Sequence, residues 1–279
     1  MGGKAACGLW GSQEEARDCL AIAKEAALAA GAAIAACSRD AGCKGDSGHD
    51  LVTAADLASE QTLIQHLSRA FPGHRIEGEE GGCHGPSDSP RVWYLDPLDG
   101  TANFSRGIPY WAISVGMAWR GKPVVGVIHA PEWGVTLTAL RGQGVWLNGE
   151  ALTAPRPASN DPRSWIIAVD WPWDLGQRHR VNALTSAMSD HIRQYKTYGS
   201  AALDCVGLAR GWLDAYIISD VYPWDLCAGT AALAELGLRL RTWSGQAWRL
   251  GRGEILACHP HMEAQLLQWC QDRPELTTP

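Results

Sequence analysis

The sequence predicts an α+β protein in which two helices and a mainly antiparallel sheet precede a layer of alternating strands and helices. Apolar residues recur at helical spacing through residues 12–39, where Ser12 can cap the helix. Residues 91–147 contain short apolar runs separated by turn residues, which is typical of antiparallel strands. Residues 165–236 alternate between strand-like and helix-like segments, which favours an α/β layer packed on that sheet.

The elements follow one another with short connections. The first helix leads into a loop at 40–50 and a second helix at 53–70, which Phe71-Pro72-Gly73 ends. The predicted strands of the first half are 91–95, 111–119, 123–129, 135–140 and 144–147. In the second half, the predicted strands are 165–169, 194–197 and 215–219, and the predicted helices are 178–189, 201–209 and 226–236.

The proline-rich stretch 154–163 is the predicted seam of the chain. We therefore expect one domain over residues 1–279, built from sub-domains at about 12–153 and 164–270.

Composition narrows the classes of function. The 279 residues are 46% hydrophobic and carry a net charge of −6, which argues against a broad surface for nucleic acid or anionic membrane. No apolar run is long enough to cross a bilayer, and the N-terminus lacks the apolar core of a secretory signal. Nine cysteines show no CxxC pair and no zinc spacing, so reduced thiols in a cytoplasmic protein are expected.

The segment Asp96-Pro97-Leu98-Asp99-Gly100 follows an apolar strand and brings two carboxylates to its end. Pro97 stops regular strand pairing and Gly100 permits a tight turn, so both carboxylates can converge. Such hard oxygen ligands suit Mg²⁺, and the amides that follow can open a short helix that favours an anion. Asp-Pro and Asp-Gly are also common in solvated turns, so the fragment alone leaves both interpretations open.

Two further acidic segments accompany it. Glu79 and Glu80 lie between Gly78 and Gly81, where a surface turn is the alternative interpretation. Asp225 stands at the start of an apolar helix, where an ordinary helix cap is the alternative.

Together, these segments resemble the signature motifs of the inositol monophosphatase family of metal-dependent phosphatases. The motifs are GEE at 78–80, DPLDGTANF at 96–104 and PWDLCAG at 223–229, in that order. Further agreement lies at 50–56, 199–202 and 253–259, so the resemblance spans about residues 12–270. It implies a layered αβαβα sandwich, Mg²⁺-dependent hydrolysis of a small phosphate monoester, inhibition by lithium, and a homodimer.

The resemblance also implies roles by position. The implied ligands of two or three Mg²⁺ ions are Glu79, Asp96, the carbonyl of Leu98, Asp99 and Asp225. The implied catalytic residues, which orient and deprotonate the attacking water, are Glu79, Thr101 and Asp56. The implied substrate-binding residues are Asp99, Gly100, Thr101, Gly199, Ser200, Ala201 and Asp225.

The chain departs from the family at the alcohol end of the site. Inositol-specific members carry a Glu where this chain has Ile218, and Asp220 two positions later is a candidate substitute. The expected substrate is therefore an inositol phosphate or a related sugar or polyol phosphate, with histidinol phosphate, fructose 1,6-bisphosphate and adenosine 3′,5′-bisphosphate as alternatives. Arg106 and Lys44 are open candidates for contacts with anionic groups.

Two other readings of the chain remain. A haloacid dehalogenase-type phosphatase needs one residue between its two aspartates, whereas two separate Asp96 from Asp99. A non-catalytic scaffold or regulatory protein that retains the fold is the non-enzymatic alternative, and the complete set of candidate ligands argues against it.

Overall fold

Two large β-sheets and three layers of helices alternate through the molecule, beside a small two-stranded sheet. The computed structural model describes residues 10–44, 50–155, 159–251 and 253–271. The helices are α1 (Gln13–Ala35), α2 (Ala54–Ala70), α3 (Thr101–Ser105), α4 (Leu175–Met188), α5 (Ala201–Ala209), α6 (Pro223–Glu235) and α7 (Glu263–Gln271). The strands are β1 (Ala41–Lys44), β2 (Asp50–Thr53), β3 (Arg75–Gly78), β4 (Gly82–His84), β5 (Arg91–Asp99), β6 (Ala112–Trp119), β7 (Lys122–Ala130), β8 (Val135–Leu140), β9 (Gly144–Leu147), β10 (Glu150–Leu152), β11 (Ile166–Val169), β12 (Gln194–Lys196), β13 (Ala215–Val221), β14 (Arg239–Arg241) and β15 (Gly253–Cys258).

The first sheet has eight strands in the order β10-β9-β8-β7-β6-β5-β3-β4. Neighbouring strands run antiparallel except for the pair β3 and β5, which is parallel. Helices α1 and α2 cover its outer face, where small buried residues such as Ala23, Ala27 and Ala30 let α1 lie close to the sheet. A cluster of buried apolar side chains fills this interface and fixes the orientation of β5.

Helices α5 and α6 form the middle layer between the two sheets. Helix α6 packs directly on β6 and β7 because Gly116 and Gly126 leave room for its backbone. A Cβ at Gly126 would lie 2.3 Å from the carbonyl oxygen of Ala228, which no side chain could tolerate. This close contact brings the first turn of α6 to the end of β5.

The second sheet has five strands in the order β12-β11-β13-β15-β14. Strand β11 runs parallel to both β12 and β13, so the carboxyl ends of β11 and β13 share one edge. Helices α4 and α7 pack outside this sheet around a third buried apolar cluster. The arrangement confirms the predicted αβαβα sandwich. The first sheet ends at Leu152 and the second begins at Ile166, although the division into sub-domains stays a prediction.

Several boundaries differ from the sequence prediction. The predicted loop at 40–50 is wrong in part, because β1 within it pairs antiparallel with β2. The pairing stabilises an extended conformation that the sequence of this Gly-containing segment does not favour on its own. The first helix ends at Ala35 instead of residue 39, where Ser38 and Asp40 bond to each other in place of the helix backbone. Strands β3 and β4 and helix α7 were not predicted, since each is short and the two strands have four and three residues only.

Among the described residues, no helix combines the length and apolar character needed to cross a membrane.

Candidate active site

A cleft of about 540 Å³ lies where the end of β5, the start of α6 and the carboxyl edge of the second sheet meet. Six carboxylate side chains line it, namely Glu79, Asp96, Asp99, Asp170, Asp220 and Asp225. Among the described residues of its wall, none is Lys or Arg. The cleft is therefore strongly acidic, and it contains most of the residues that the resemblance selected.

Asp96 stands near the end of β5, where the pairing with β6 becomes irregular between Asp96 and Asp99. Its Oδ1 accepts a hydrogen bond from the amide of Leu98 at 3.0 Å, which fixes the direction of the carboxylate. Burial raises the pKa of Asp96 well above its ordinary value, and the nearby Glu79 and Asp99 raise it further. The site therefore opposes the charged form of this side chain unless a cation is present.

Asp99 links the two halves of the chain. Its carboxylate accepts hydrogen bonds from the Ser200 hydroxyl and from the amides of Ala202 at 2.7 Å and Ala201 at 3.2 Å, at the N-terminus of α5. Burial raises the pKa of Asp99 to about 7. The hydrogen bonds from Ser200 and the α5 amides lower this pKa and so offset part of the effect of burial.

Ser200 differs from its expected placement. It was expected to line the substrate pocket, but it lies behind Asp99 and is buried, while Gly199 and Ala201 do line the cleft. Its hydroxyl also caps α5 by accepting from the amide of Leu203 at 3.3 Å. Ser200 therefore reaches the cleft only through Asp99.

Asp225 is the third residue of α6 and does not occupy the N-cap position, which Tyr222 takes. Its Oδ2 accepts from the amide of Tyr222 at 2.7 Å, so the carboxylate is held across the first turn. Burial raises the pKa of Asp225 well above its usual range, and the neighbouring Glu79 and Asp99 add to this effect. Asp225 thus takes part in a capping box at the start of α6, as the helix-cap interpretation expected in part, and it also lies among the other carboxylates of the cleft.

Glu79 lies on the turn between β3 and β4, and its amide donates to the carbonyl of Leu95 at 3.2 Å. Gly78 lies tightly against Glu60, since a Cβ at Gly78 would lie 2.0 Å from Oε1 of Glu60 and would force that side chain to move. Glu60 is buried on α2 and accepts a hydrogen bond from the amide of Glu80 at 3.0 Å. The turn that carries Glu79 therefore packs against α2. The sequence did not predict this contact.

Thr101 and Asp56 form a hydrogen-bonded pair beside the carboxylates. The Thr101 hydroxyl lies 3.0 Å from Oδ1 of Asp56 and 3.0 Å from the carbonyl oxygen of Leu98. Oδ2 of Asp56 is held by the amide and hydroxyl of Thr53, at 2.7 and 2.6 Å. Because the single Thr101 proton points at one of these acceptors, the hydroxyl oxygen is left as an acceptor toward the cleft.

The turn after Asp99 can be made only by glycine. Gly100 has φ +93°, and a Cβ there would lie 2.9 Å from the carbonyl oxygen of Tyr110. Asn103 on α3 then donates to the carbonyls of Tyr110 and Tyr198, both at 2.8 Å. Asn103 belongs to the recognised motif, but its role of tying α3 to the second half was visible only in the structure.

The donor set fits a hard divalent cation. All the candidate ligands are oxygen atoms, and the mutual repulsion of Asp96, Asp99 and Asp225 would be relieved by bound positive charge. In the described part of the chain, no three Asp, Glu, His or Cys side chains already close around one point that an ion could fill. The chemistry of the donors and the electrostatics therefore fit Mg²⁺.

The opposite wall of the cleft comes from the second sheet, and its main carboxylate was missed by sequence reasoning. Asp170 follows β11, accepts from the Tyr216 hydroxyl at 2.7 Å and from the amide of Gly199 at 3.2 Å, and is buried. Asp204, bonded to the Tyr110 hydroxyl at 2.6 Å, lies next to it. Burial raises the pKa of both acids, and the neighbouring Asp170 raises that of Asp204 further.

The residues that the sequence left open divide into three groups. Ile218 and Asp220 both line the cleft. Arg106 is exposed at the end of α3 and does not line it. The side chain of Lys44 lies outside the described residues.

Comparisons with known proteins agree with this geometry. Residues 15–275 match the model of the inositol monophosphatase family. The chain belongs to the inositol monophosphatase family. It is 33% identical over 222 residues to an inositol-1-monophosphatase of Bacillus subtilis, covering 79% of this chain and 83% of the relative. It is 31% identical over 227 residues to Nus factor SuhB of Pasteurella multocida, covering 80% of this chain and 83% of that protein.

Solved structures extend the likeness to the fold. The inositol monophosphatase from Anabaena matches with a TM-score of 0.82 and 29% identity, over 94% of this chain and 99% of the other. As a member of the inositol monophosphatase family, the chain is a phosphatase.

Proposed function

We propose that this phosphatase hydrolyses the phosphate monoester of a small sugar, polyol or related alcohol in a Mg²⁺-dependent reaction. One observation carries the proposal: the cleft is lined by Thr101, which bonds to Asp56, and by six carboxylates that include the four proposed ligands, and its described wall has no Lys or Arg. A phosphate monoester carries close to two negative charges near neutral pH, so these carboxylates would repel it without bound cations.

The residues that would hold two or three Mg²⁺ ions are Glu79, Asp96, the carbonyl of Leu98, Asp99 and Asp225. Such ions lower the pKa of water and stabilise the attacking and leaving oxygens of an in-line displacement. Asp96, Asp99 and Asp225 are each held by backbone or hydroxyl donors, so their directions are set before the substrate arrives.

The chain itself supplies the orientation of the attacking water. Asp56 accepts the Thr101 hydroxyl proton in a hydrogen bond, which turns an oxygen lone pair of Thr101 toward the water. Thr101 then accepts a hydrogen bond from the water, and Glu79 takes up its proton. The backbone amides of Gly100 and Thr101 bind the phosphate, and Asp99, Gly199 and Ala201 face the alcohol.

The first experiment measures phosphate release from a panel of esters with Mg²⁺ and then with EDTA. The panel holds inositol 1-phosphate, histidinol phosphate, fructose 1,6-bisphosphate, adenosine 3′,5′-bisphosphate and glycerol phosphates. We expect release that depends on Mg²⁺, that lithium inhibits, and that Asp96→Asn abolishes. Equal release with EDTA would contradict the proposal.

A non-enzymatic role is the second candidate, because several curated relatives carry the name Nus factor SuhB. The buried carboxylates of the site favour a catalytic function, whether or not the protein also has a non-enzymatic role. Buried carboxylates without a cationic partner cost folding free energy, so a pure scaffold would be more stable without them. A purified protein that binds no Mg²⁺ in calorimetry and releases no phosphate would favour the scaffold.

We also infer a homodimer in the cytoplasm, in keeping with the resemblance. Light scattering that gives the mass of one chain would count against the dimer.

A further inference from the structure

We propose that Asp204 is a positioning residue that stays protonated and donates a hydrogen bond to Asp170, and that this bond holds Gly199 beside the phosphate-binding turn. Neither acid belongs to the recognised motifs, and neither is a candidate metal ligand. The inference rests on the proposed phosphate site for its kinetic readout. The proton on Asp204 can be measured without turnover.

Asp170 is arranged as an acceptor through both of its oxygens. Its Oδ1 accepts a hydrogen bond from the amide of Gly199 at 3.2 Å, and its Oδ2 accepts one from the hydroxyl of Tyr216 at 2.7 Å. Asp170 follows β11, and Tyr216 lies on β13, the parallel neighbour of β11. Hydrogen bonds to both oxygens favour the ionised form of a carboxyl group. Asp170 therefore has the surroundings of a carboxylate.

The two oxygens of Asp204 have different surroundings. Asp204 lies in the first turn of α5 and is fully buried, and its Oδ1 accepts from the Tyr110 hydroxyl at 2.6 Å. Its Oδ2 is buried as well, and no group among the described residues donates a hydrogen bond to it. A buried carboxylate oxygen without a donor is costly, whereas a proton on that oxygen makes it a donor that needs one acceptor.

Asp170 provides that acceptor. The side chains of Asp204 and Asp170 lie within hydrogen-bonding reach of each other. Two ionised carboxylates would repel each other strongly at this buried place, and one proton between them removes the repulsion. Because both oxygens of Asp170 already accept, the proton belongs on Oδ2 of Asp204.

The other titratable groups around Asp204 agree with this placement. Burial raises the pKa of Asp204 well above its ordinary value, and Asp170 raises it further. The remaining titratable groups that interact with it are Tyr110, Asp99, Cys205 and Tyr216. Each of these is neutral or negative, so none favours the charged form of Asp204 through a positive charge.

Asp170 connects the acid pair to the phosphate-binding turn. The amide of Gly199 donates to Asp170, and the carbonyl of Gly199 accepts from the side chain of Asn103 at 3.3 Å. The same carbonyl oxygen lies against Gly100, where a Cβ would approach it to 3.2 Å. Gly100 supplies one of the amides proposed to bind phosphate, so a shift of Gly199 would displace that amide. Asp204 therefore acts on phosphate only through Asp170 and Gly199.

Substitution by Asn at each position distinguishes the two acids. Asp204→Asn keeps an oxygen for the Tyr110 hydroxyl and offers its amide group to Asp170, so it reproduces the neutral acid. With saturating Mg²⁺ at pH 7, we expect its inhibition constant for inorganic phosphate to stay within about twofold of wild type.

Asp170→Asn should behave differently, because its single oxygen would face three donors. These are the Gly199 amide, the Tyr216 hydroxyl and the Asp204 carboxyl group. We expect its inhibition constant for inorganic phosphate to rise about tenfold. Asp204→Leu, which has neither donor nor acceptor, should show a similar rise, whereas Mg²⁺ affinity should change little in both variants.

Infrared difference spectroscopy reports the proton directly. In saturating Mg²⁺ at pH 7, the wild-type spectrum minus that of Asp204→Asn should contain the C=O stretch of a neutral carboxyl group. Asp18→Asn, which removes a carboxylate from the exposed face of α1, is the matched control. The wild-type spectrum minus that of Asp18→Asn should lack this band.

Three results would overturn the inference. The first is the absence of the neutral carboxyl band at Asp204. The second is an Asp170→Asn variant that binds phosphate normally while Asp204→Asn does not, which would place the proton on Asp170. The third is an equal loss in Asp204→Asn and Asp204→Leu, which would indicate packing alone.

The infrared band and the two Asn variants decide the matter if Asp204→Leu does not fold. All of these results leave the proposed function standing. Wild-type protein that releases no phosphate from any ester in Mg²⁺ would count against the proposed function itself.

Discussion

The two walls of the cleft are built on different physical principles. On the wall proposed to hold the metal, here called the metal-facing wall, Asp96, Asp99 and Asp225 are buried or half-buried, and each carboxylate is held by a backbone amide. On the opposite wall, which the proposal assigns to the alcohol, Trp171, Trp173 and Tyr222 are exposed, and the Ser219 hydroxyl has no hydrogen-bond partner among the described residues. The carboxylates of the first wall are held by hydrogen bonds from the protein itself, whereas the second wall exposes aromatic surface.

This difference separates reaction chemistry from substrate choice. Hydrolysis of any phosphate monoester needs the same charges at the same places, so the metal-facing wall depends on short, close-packed motifs. The alcohol varies from one substrate to another, and loops after strand ends can change without disturbing the sheet below. Variants on each wall should therefore fail in different ways.

The largest expected effect comes from Thr101→Val, which keeps the shape of the side chain and removes the hydroxyl. We expect kcat to fall by about 10²–10⁴, because a positioned proton acceptor typically contributes that much. Mg²⁺ affinity measured by calorimetry should change little, since the carboxylates are untouched.

Thr101→Ser is the matched control for that variant. It keeps the hydroxyl that bonds to Asp56 and should retain most of the activity. If Thr101→Val and Thr101→Ser had similar kcat values, the hydroxyl would have no role in the reaction.

Ser200→Ala should have an intermediate effect on the metal-facing wall. The Ser200 hydroxyl holds the pKa of Asp99 down, so its removal should raise that pKa and let protons compete more strongly with Mg²⁺. We expect Mg²⁺ affinity at pH 7 to fall by about 10–100-fold, the usual cost of losing a residue that supports a metal ligand.

Raising the pH distinguishes this explanation from simple damage. The deficit of Ser200→Ala in Mg²⁺ affinity should shrink between pH 7 and pH 9, as Asp99 loses its proton in both proteins. A deficit that stays constant with pH would show that Ser200 acts through the position of α5 instead.

The smallest effect concerns the stability of the metal-free protein. The pKa of Asp99 is raised to about 7 in the folded state from about 3.9 in an unfolded chain, so its favourable contribution is complete at low pH and is lost as pH rises through 7. In EDTA, we expect the Tm to be about 2–4 °C lower at pH 8 than at pH 6.

Added Mg²⁺ should raise the Tm more at pH 8 than at pH 6, since it replaces the lost protons. Asp99→Asn removes this titration and should flatten the EDTA profile. A Tm in EDTA that rises between pH 6 and pH 8 in the wild-type chain would contradict the assignment of Asp99.

Sequence reasoning worked where short segments act locally. The helical period around α1, the alternating elements of the second half and the turn chemistry of Asp96–Gly100 are set by neighbouring residues, so they could be read along the chain. It failed where a partner is distant: β1 forms by pairing with β2, and the Glu79 turn is seated on Glu60 of α2.

The candidate site shows the same limit. The sequence by itself indicated the converging carboxylates of Asp96 and Asp99, and the resemblance of its motifs to a known family added Glu79, Thr101 and Asp225. Only the tertiary structure showed that Ser200 supports Asp99, that Asp170 faces the cleft, and that Trp171 and Trp173 stand beside the end of β13. These contacts join residues about 30 to 100 positions apart, so local conformational preferences do not encode them. They form only when the two sheets pack around α5 and α6.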